Sequence, residues 1–257
     1  MRQIRKGILG IIHERGTIMK SSVCMAAYNG DKYIEAQILS ILKQLDTNDE
    51  LIVVDDFSND RTRLIIQSIN DSRIRLIMNS ENLGVVKTFN KALEHARGDI
   101  IFLSDQDDVW EDNKISTILR EFDTDKEDLI VHDAIVVDEG MNIICNSWQN
   151  RGKYQSGILR NLIKNGYTGC CMAFTKTVAE KVLPIPSFIE IHDQWIGVMA
   201  ELSGLKIKFI EDRLIKYVRH GSNVSPLNRR SLWRIINGRS RLIVGIINHL
   251  FTRIIFR

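Results

Sequence analysis

Between residues 21 and 105 the chain alternates short, uninterrupted apolar runs with helical stripes, and this alternation constrains its fold more than any other feature. "SSVCMAAYN" reads as a strand, "DKYIEAQILSILKQL" puts Ile34, Ile38, Ile41, Leu42 and Leu45 on one helical face, and "DELIVVDD" is a strand again. A helix near residues 62–69, a strand in "RIRLIMN", a helix over "GVVKTFNKALEHA" and the strand "DIIFLSD" continue the series. Runs of Val, Ile and Leu without polar alternation belong to strands buried on both faces. The pattern therefore predicts an α/β fold with a mostly parallel central sheet and helices on both faces. At 257 residues the chain fits one such domain, or one with an appended segment. Its later part is less regular: a hairpin turning at Glu139-Gly140, a strand in "TGCCMAFTK" and a helix in "HDQWIGVMAEL", expected to shape an acceptor pocket. No repeat, low-complexity tract or linker divides it.

In open α/β sheets ligands bind beyond the carboxyl ends of the strands. Three of the strands end in polar clusters, "AAYNGD", "DDFSND" and "SDQDD", which should meet at one edge. The last places Asp105, Asp107 and Asp108 within four residues, where like charges repel and each carboxylate resists dehydration. A cation belongs there. The usual phosphate cradles, GxGxxG and GxxxxGK[ST], are absent. Strand-end aspartates can instead hold a diphosphate by sharing a hard divalent cation with it, Mn²⁺ or Mg²⁺, and Asp105 and Asp107 suit that task. A DxD alone also marks solvated turns and helix caps. Cys24, Cys145, Cys170 and Cys171 have no CxxC spacing, so neither a metal knuckle nor a disulfide framework is expected, and a reducing cytoplasm is.

Charge is split along the chain. No Asp or Glu follows Asp212 while ten Lys or Arg do, so a body of net −7 carries a tail of +10. In that tail Leu232, Ile236, Ile243, Ile247, Leu250 and Ile254 fall on one helical face, with Arg230, Arg234 and Arg241 opposite and Arg239 towards the apolar side. The longest apolar stretch, 242–256, is too short for a bilayer and is interrupted by His249 and Arg253. The expectation is an amphipathic helix lying on a membrane surface, the alternative being a helix docked on its own domain or a second subunit. Few aromatics interleave the basic residues, which argues against nucleic acid. The basic, apolar N-terminal stretch lacks a long h-region and a cleavage site, so no signal peptide is read.

The stretches "AAYNGDKYIEAQILSILKQ", "ELIVVDDFSND", "NSENLGVVKTFNKALEHARGDIIFLSDQDDVW", "HDQWI" and "YVRHGSNVS" resemble, in order and spacing, the family-2 glycosyltransferases. These are inverting enzymes of the GT-A fold that use nucleotide sugars. The forms "SDQDDVW", "HDQW" and "RHGSN" look most like bacterial enzymes of O-antigen and capsule assembly. The resemblance covers roughly residues 22–224, a GT-A domain, and the charge pattern leaves a basic segment over 1–21 and a basic amphipathic segment over 225–257. The resemblance also implies a peripheral enzyme at the cytoplasmic face of the bacterial inner membrane.

By the same resemblance Ala26, Tyr28 and Asp56 match base-holding positions, the tyrosine stacking and the aspartate accepting from the base. Asp107 matches the metal-binding aspartate, with Asp105 and Asp108 supporting metal and ribose. Asp193 matches the general base that takes the acceptor hydroxyl's proton, giving in-line displacement with inversion. His220 is placed on the metal or the diphosphate and Arg219 on leaving-group charge. His192, and Asn82 and Lys87 at the donor pocket, are weaker candidates, and Trp110 and Trp195 read as packing residues. Bland readings stand beside these: a rim aromatic for Tyr28, a turn cap for Asp56, a basic strand end for Arg219 and His220. Two departures are Phe57, where the family's "DDGS" form has glycine, and Ala26, where some relatives carry a hydroxyl. The QxxRW motif of processive synthases is absent.

The implied reaction moves one hexose from UDP-glucose or UDP-galactose, as a β linkage, to an N-acetylhexosamine of GlcNAc type on undecaprenyl diphosphate, with dTDP-rhamnose as the alternative donor. Two other classes compete. A nucleotidyltransferase should carry a glycine-rich basic loop where "AAYNGD" stands, and a non-catalytic sugar-nucleotide-binding protein has no need of the "HD" pair.

Overall fold

In the computed structural model the described residues are 19–151, 156–221, 223 and 232–255. The expected series forms as β1 (Ser21–Ala27), α1 (Ile34–Leu42), β2 (Glu50–Asp55), α2 (Thr62–Ser68), β3 (Ile74–Met78), α3 (Val85–Glu94) and β4 (Ile100–Asp105). There follow β5 (Val109–Trp110), α4 (Lys114–Asp125), β6 (Leu129–Asp138), β7 (Ile143–Cys145), α5 (Ile158–Ile163), β8 (Met172–Thr175), α6 (Lys176–Val182), α7 (His192–Leu202), β9 (Ile207–Arg219) and α8 (Leu232–Ile255).

The sheet runs β3-β2-β1-β4-β8-β6-β9-β5, with β7 paired to β6. β3, β2, β1 and β4 are mutually parallel, whereas β8 runs antiparallel to both its neighbours and β9 parallel to β6. Val23, Met25, Leu51, Val53, Phe102 and Leu103 are wholly buried, as expected of strands covered on both faces. All five residues read as the inner stripe of the first helix are buried, Leu45 just beyond its end.

Register decides where the polar ends meet. Ala26 pairs with Val54 on one side and Asp105 on the other, and Ala27 pairs with Asp55. The three strand ends therefore lie side by side. β6 and β7 form the expected hairpin. The strand read in "TGCCMAFTK" begins only at Met172, because Gly169–Cys171 make a single tight helical turn. Of the 13-residue β9 only the basic end at Arg219 was anticipated; its charges interrupt the apolar run although Ile210, Leu214, Ile215 and Val218 face the core.

The C-terminal helix has one docked stripe and one exposed face. Leu242 is buried, a side chain at Gly245 would meet Trp195 and Ile189, and His249 stands edge-on to Trp195 with Nε2 2.9 Å from the Lys181 carbonyl. That stripe docks on the body. Ile236, Ile243, Ile247 and Leu250, with Trp233, Val244 and Phe251, face solvent. Arg230 and the side chains of Leu232 and Ile254 lie outside the described residues, as do residues 1–18 and 224–231. No described helix is long and apolar enough to cross a membrane.

Candidate active site

Tyr28 follows β1 and is about two-fifths exposed, and its backbone is gripped by one side chain. Gln106 accepts from the Tyr28 N–H and donates to its carbonyl, both at 2.9 Å. A β-carbon on Gly30 would lie 2.2 Å from Gln106 Oε1, so the turn after β1 has room for the clamp only with glycine there. Gln106, between Asp105 and Asp107, thus ties the aromatic loop to the acidic one.

At the end of β2 the two aspartates divide the work. Asp55 is fully buried, paired with Arg63 at 2.7 Å, and accepts from the Ser58 N–H. Asp56 accepts from Asn79 Nδ2 and from the N–H groups of Leu83 and Gly84, all at 2.8 Å, and so anchors the loop leading to α3. Those three bonds fill most of its acceptor capacity, which is the turn-capping geometry. Asn82 reaches the Asp56 carbonyl at 3.3 Å, and Lys87 is exposed on α3. Phe57, in the family's glycine position, adopts φ 65°, a left-handed conformation costing roughly 1–2 kcal/mol for an L-residue. Its ring lies under the Arg63 guanidinium at 5.5 Å.

The acidic triplet splits into two groups. Asp107 Oδ2 is 2.9 Å from His220 Nε2 and accepts from Asn223 Nδ2 at 3.1 Å, while the His220 ring stacks on Tyr33 at 4.4 Å. "RHGSN" is thereby brought across the sheet to "SDQDD". Arg219 ends β9 with its guanidinium near the Tyr217 ring.

Asp105 and Asp108 face inwards, where ligand atoms of Asp105, Asp108 and Cys170 all lie within 4.8 Å of one another. Burial, then the charge of Asp107, raises the pKa of both carboxyls. Asp108 Oδ1 receives the Val218 N–H at 3.3 Å, and its Oδ2 is buried without a hydrogen-bond partner among the described residues. A hard cation would relieve both the repulsion and the orphaned oxygen, so the residues fit one. Cys170 suits it poorly: its thiol is soft, and hydrogen bonding to Cys171 and burial hold its pKa well above the ordinary value.

Beneath the acids lies Lys114, which sequence reasoning missed. It is fully buried, donates to the Cys170 carbonyl at 2.8 Å and sits 3.9 Å over the Trp110 ring. Burial pushes its pKa down to about 8, against the opposing pull of the cysteines, Asp108 and Asp105. Trp110 is nearly buried here and Trp195 wholly so, its indole N–H on the Val182 carbonyl; both pack.

Asp193 stands in the first turn of α7. Its Oδ2 accepts from the Gly169 N–H at 3.0 Å and its Oδ1 from Asn165 Nδ2 at 3.1 Å; Gly169 adjoins Cys170, whose thiol lies within 4.8 Å of the Asp105 and Asp108 ligand atoms, so Asp193 stands beside the acidic group. A β-carbon on Gly169 would come within 2.9 Å of His192 Nε2; the turn approaches α7 this closely because it has none. His192 is buried, stacked on Phe89 at 4.2 Å, and burial lowers its pKa to about 4. A neutral packing imidazole is what those surroundings favour. Neither Asn165 nor Gly169 belonged to a motif that sequence reading could weigh.

The family model for glycosyl transferase family 2 matches residues 22–183. Among curated relatives, the Escherichia coli WfgD, named UDP-Glc:alpha-D-GlcNAc-diphosphoundecaprenol beta-1,3-glucosyltransferase, is 31% identical over 83% of this chain and 82% of its own. A glycosyltransferase of Nostoc sp., described as uncharacterized, is 28% identical over 80% of this chain and 66% of its own length. Among solved structures, S. aureus TarS 1-349 in complex with UDP-GlcNAc superposes with a TM-score of 0.71 at 20% identity, over 90% of this chain and 67% of that one. The last likeness establishes the GT-A fold, and by its match over residues 22–183 the chain belongs to glycosyl transferase family 2.

Proposed function

We propose that the chain is an inverting, non-processive hexosyltransferase that carries one sugar from a nucleotide diphosphate donor to a GlcNAc-type saccharide on undecaprenyl diphosphate. UDP-glucose or UDP-galactose is the favoured donor. The observation that carries this reading is the convergence at one sheet edge of Tyr28, the Asp105/Asp108 and Asp107/His220 groups and, through Gly169 beside Cys170, Asp193. The WfgD name, with its UDP-Glc donor and lipid-diphosphate acceptor, supports the choice of substrates.

In this reading Tyr28 stacks on the base, Ala26 leaves room beside it, and Asp56 offers the base its remaining acceptor site. Asp107 and His220 would hold Mn²⁺ or Mg²⁺, with Asp105, which the structure groups with Asp108, as the adjoining carboxylate; the ion when bound offsets the charge developing on the diphosphate. Arg219 adds positive charge on the same side. Asp193 Oδ accepts the proton of the attacking acceptor hydroxyl, and Asn165 and Gly169 fix the carboxylate while it does so. Attack opposite the leaving group inverts the anomeric centre.

The test is a screen of nucleotide sugars against a synthetic lipid-diphosphate GlcNAc acceptor with Mn²⁺, with linkage analysis of the product. A β-linked hexose from a UDP donor is the expected result. Turnover with dTDP-rhamnose alone would reassign the donor, and nucleotide binding without any transfer would favour the non-catalytic reading.

The exposed apolar face of α8, flanked by Arg234 and Arg241 and free of acidic residues, further supports attachment to an anionic bilayer. Deleting the helix is a poor test, since that would uncover Trp195 and Ile189. Ile243→Ser with Ile247→Ser should preserve the fold and lower co-sedimentation with phosphatidylglycerol vesicles about tenfold or more, as loss of two apolar side chains from an interface implies. Undiminished sedimentation would remove α8 from the membrane contact.

A further inference from the structure

We propose that the short helix α5 is a second lipid-contacting element, which with the outer face of α8 seats the Asp193 side of the molecule on an anionic bilayer. This rests on the membrane reading above and extends it to residues that no sequence motif singles out. Leu159 and Ile163 are 77% and 80% exposed, matched among the large apolar side chains of the described residues only by Trp233 of α8 at 77%. Being four apart, they share one side of α5, while Asn161 is buried and Leu162 packs against the core on the other. A helix that places its largest apolar groups outwards, with its polar Asn inwards, is inverted relative to a water-facing one.

Its position relative to α8 is fixed by a hydrogen bond. Arg239 Nη2 reaches the Ile163 carbonyl at 3.4 Å. Arg239 lies three residues from Ile236 and four from Ile243, at the border of the exposed apolar face of α8, so the end of α5 abuts that face. The surrounding charge is basic: Arg160 and Lys164 beside Leu159 and Ile163, and Arg234 and Arg239 on α8. The neighbouring acids are engaged, Glu201 with the Gly157 N–H and the Tyr167 hydroxyl, and Glu190 with Arg241 at 3.8 Å. Apolar side chains ringed by cations fit the anionic surface of a bilayer rather than a neutral protein partner.

The same helix is tied to the candidate base. Gln194, next to Asp193, donates to the Asn161 carbonyl, and Asn165, just after α5, donates to Asp193 Oδ1. Lipid contact through α5 would thus present the base at the surface in which a lipid-linked acceptor lies.

The experiment compares three versions of the 257-residue chain, the natural one, Leu159→Ser/Ile163→Ser and Ile243→Ser/Ile247→Ser, by co-sedimentation with vesicles of phosphatidylglycerol and phosphatidylcholine. Each double variant should partition about tenfold or more weaker than the natural chain. The α5 variant should keep its melting temperature and its affinity for UDP with Mn²⁺, which shows that folding and donor site are intact. If the α8 variant detaches and the α5 variant does not, this inference falls and the membrane reading survives. If the natural chain fails to sediment, both fall. Lipid-free dimerisation that the α5 variant abolishes would assign the face to a second copy of the chain and overturn the proposal.

Discussion

Asp193→Asn is expected to lower kcat by about 10²- to 10⁴-fold, the usual contribution of a positioned general base. The amide oxygen can still accept from Asn165 Nδ2 and the Gln194 N–H, and only the bond from the Gly169 N–H is lost, because Asn165 is itself held to both backbone groups of Tyr167 and does not turn; the start of α7 should therefore hold its place. What is lost is an oxygen basic enough to take a proton. Calorimetry should accordingly find UDP and Mn²⁺ bound as in the natural chain, with KM for the donor little changed. Near-normal turnover by this variant would remove Asp193 from the mechanism, and a simultaneous collapse of nucleotide binding would mark it as structural.

Asp107→Ala should act on the other half of the reaction, weakening Mn²⁺ binding by at least about 100-fold, since losing even an outer partner of a metal ligand costs 10–100-fold. The variant also strips His220 and Asn223 of the carboxylate they share. Stability should change little, because Asp107 is partly exposed and the Tyr33 ring still supports His220. A Mn²⁺ isotherm unaltered by the substitution would move the cation to the Asp105 and Asp108 pair.

Much of this arrangement was legible in the sequence because it follows from local pattern. The βα series gives its own register, and register brings Ala26 beside Asp105. The helix α4 carries Ile115, Ile118, Leu119 and Phe122 at helical spacing, a signal as clear as that of α1 yet passed over beside the acidic run before it. What was not legible depends on contacts far apart in the chain. Asp107 meets Asn223 across 116 residues, Lys114 meets Cys170 across 56, and Asp193 meets Gly169 across 24. No periodicity encodes such pairs. Asp56 is the instructive case: its place was evident, but its bonds to Asn79, Leu83 and Gly84 depend on how a later loop folds back. The tail illustrates the opposite limit. An amphipathic helix was evident, but its inward stripe is a glycine-bearing one, Gly238, Leu242 and Gly245, whose weak hydropathy hides it behind the stronger outer face.

The grip of Gln106 on Tyr28 bears on how such a chain can diversify. Only a primary amide of this length offers a donor and an acceptor at once to both backbone groups, so the residue between the two acids is committed to architecture and is closed to selection for a new sugar. Changes of donor preference have to arise where the scaffold makes no such demand. Ala26, with its minimal side chain between two strands, and Phe57, held in a conformation glycine would adopt freely, are two places where an ancestral choice can be rewritten without dismantling the edge.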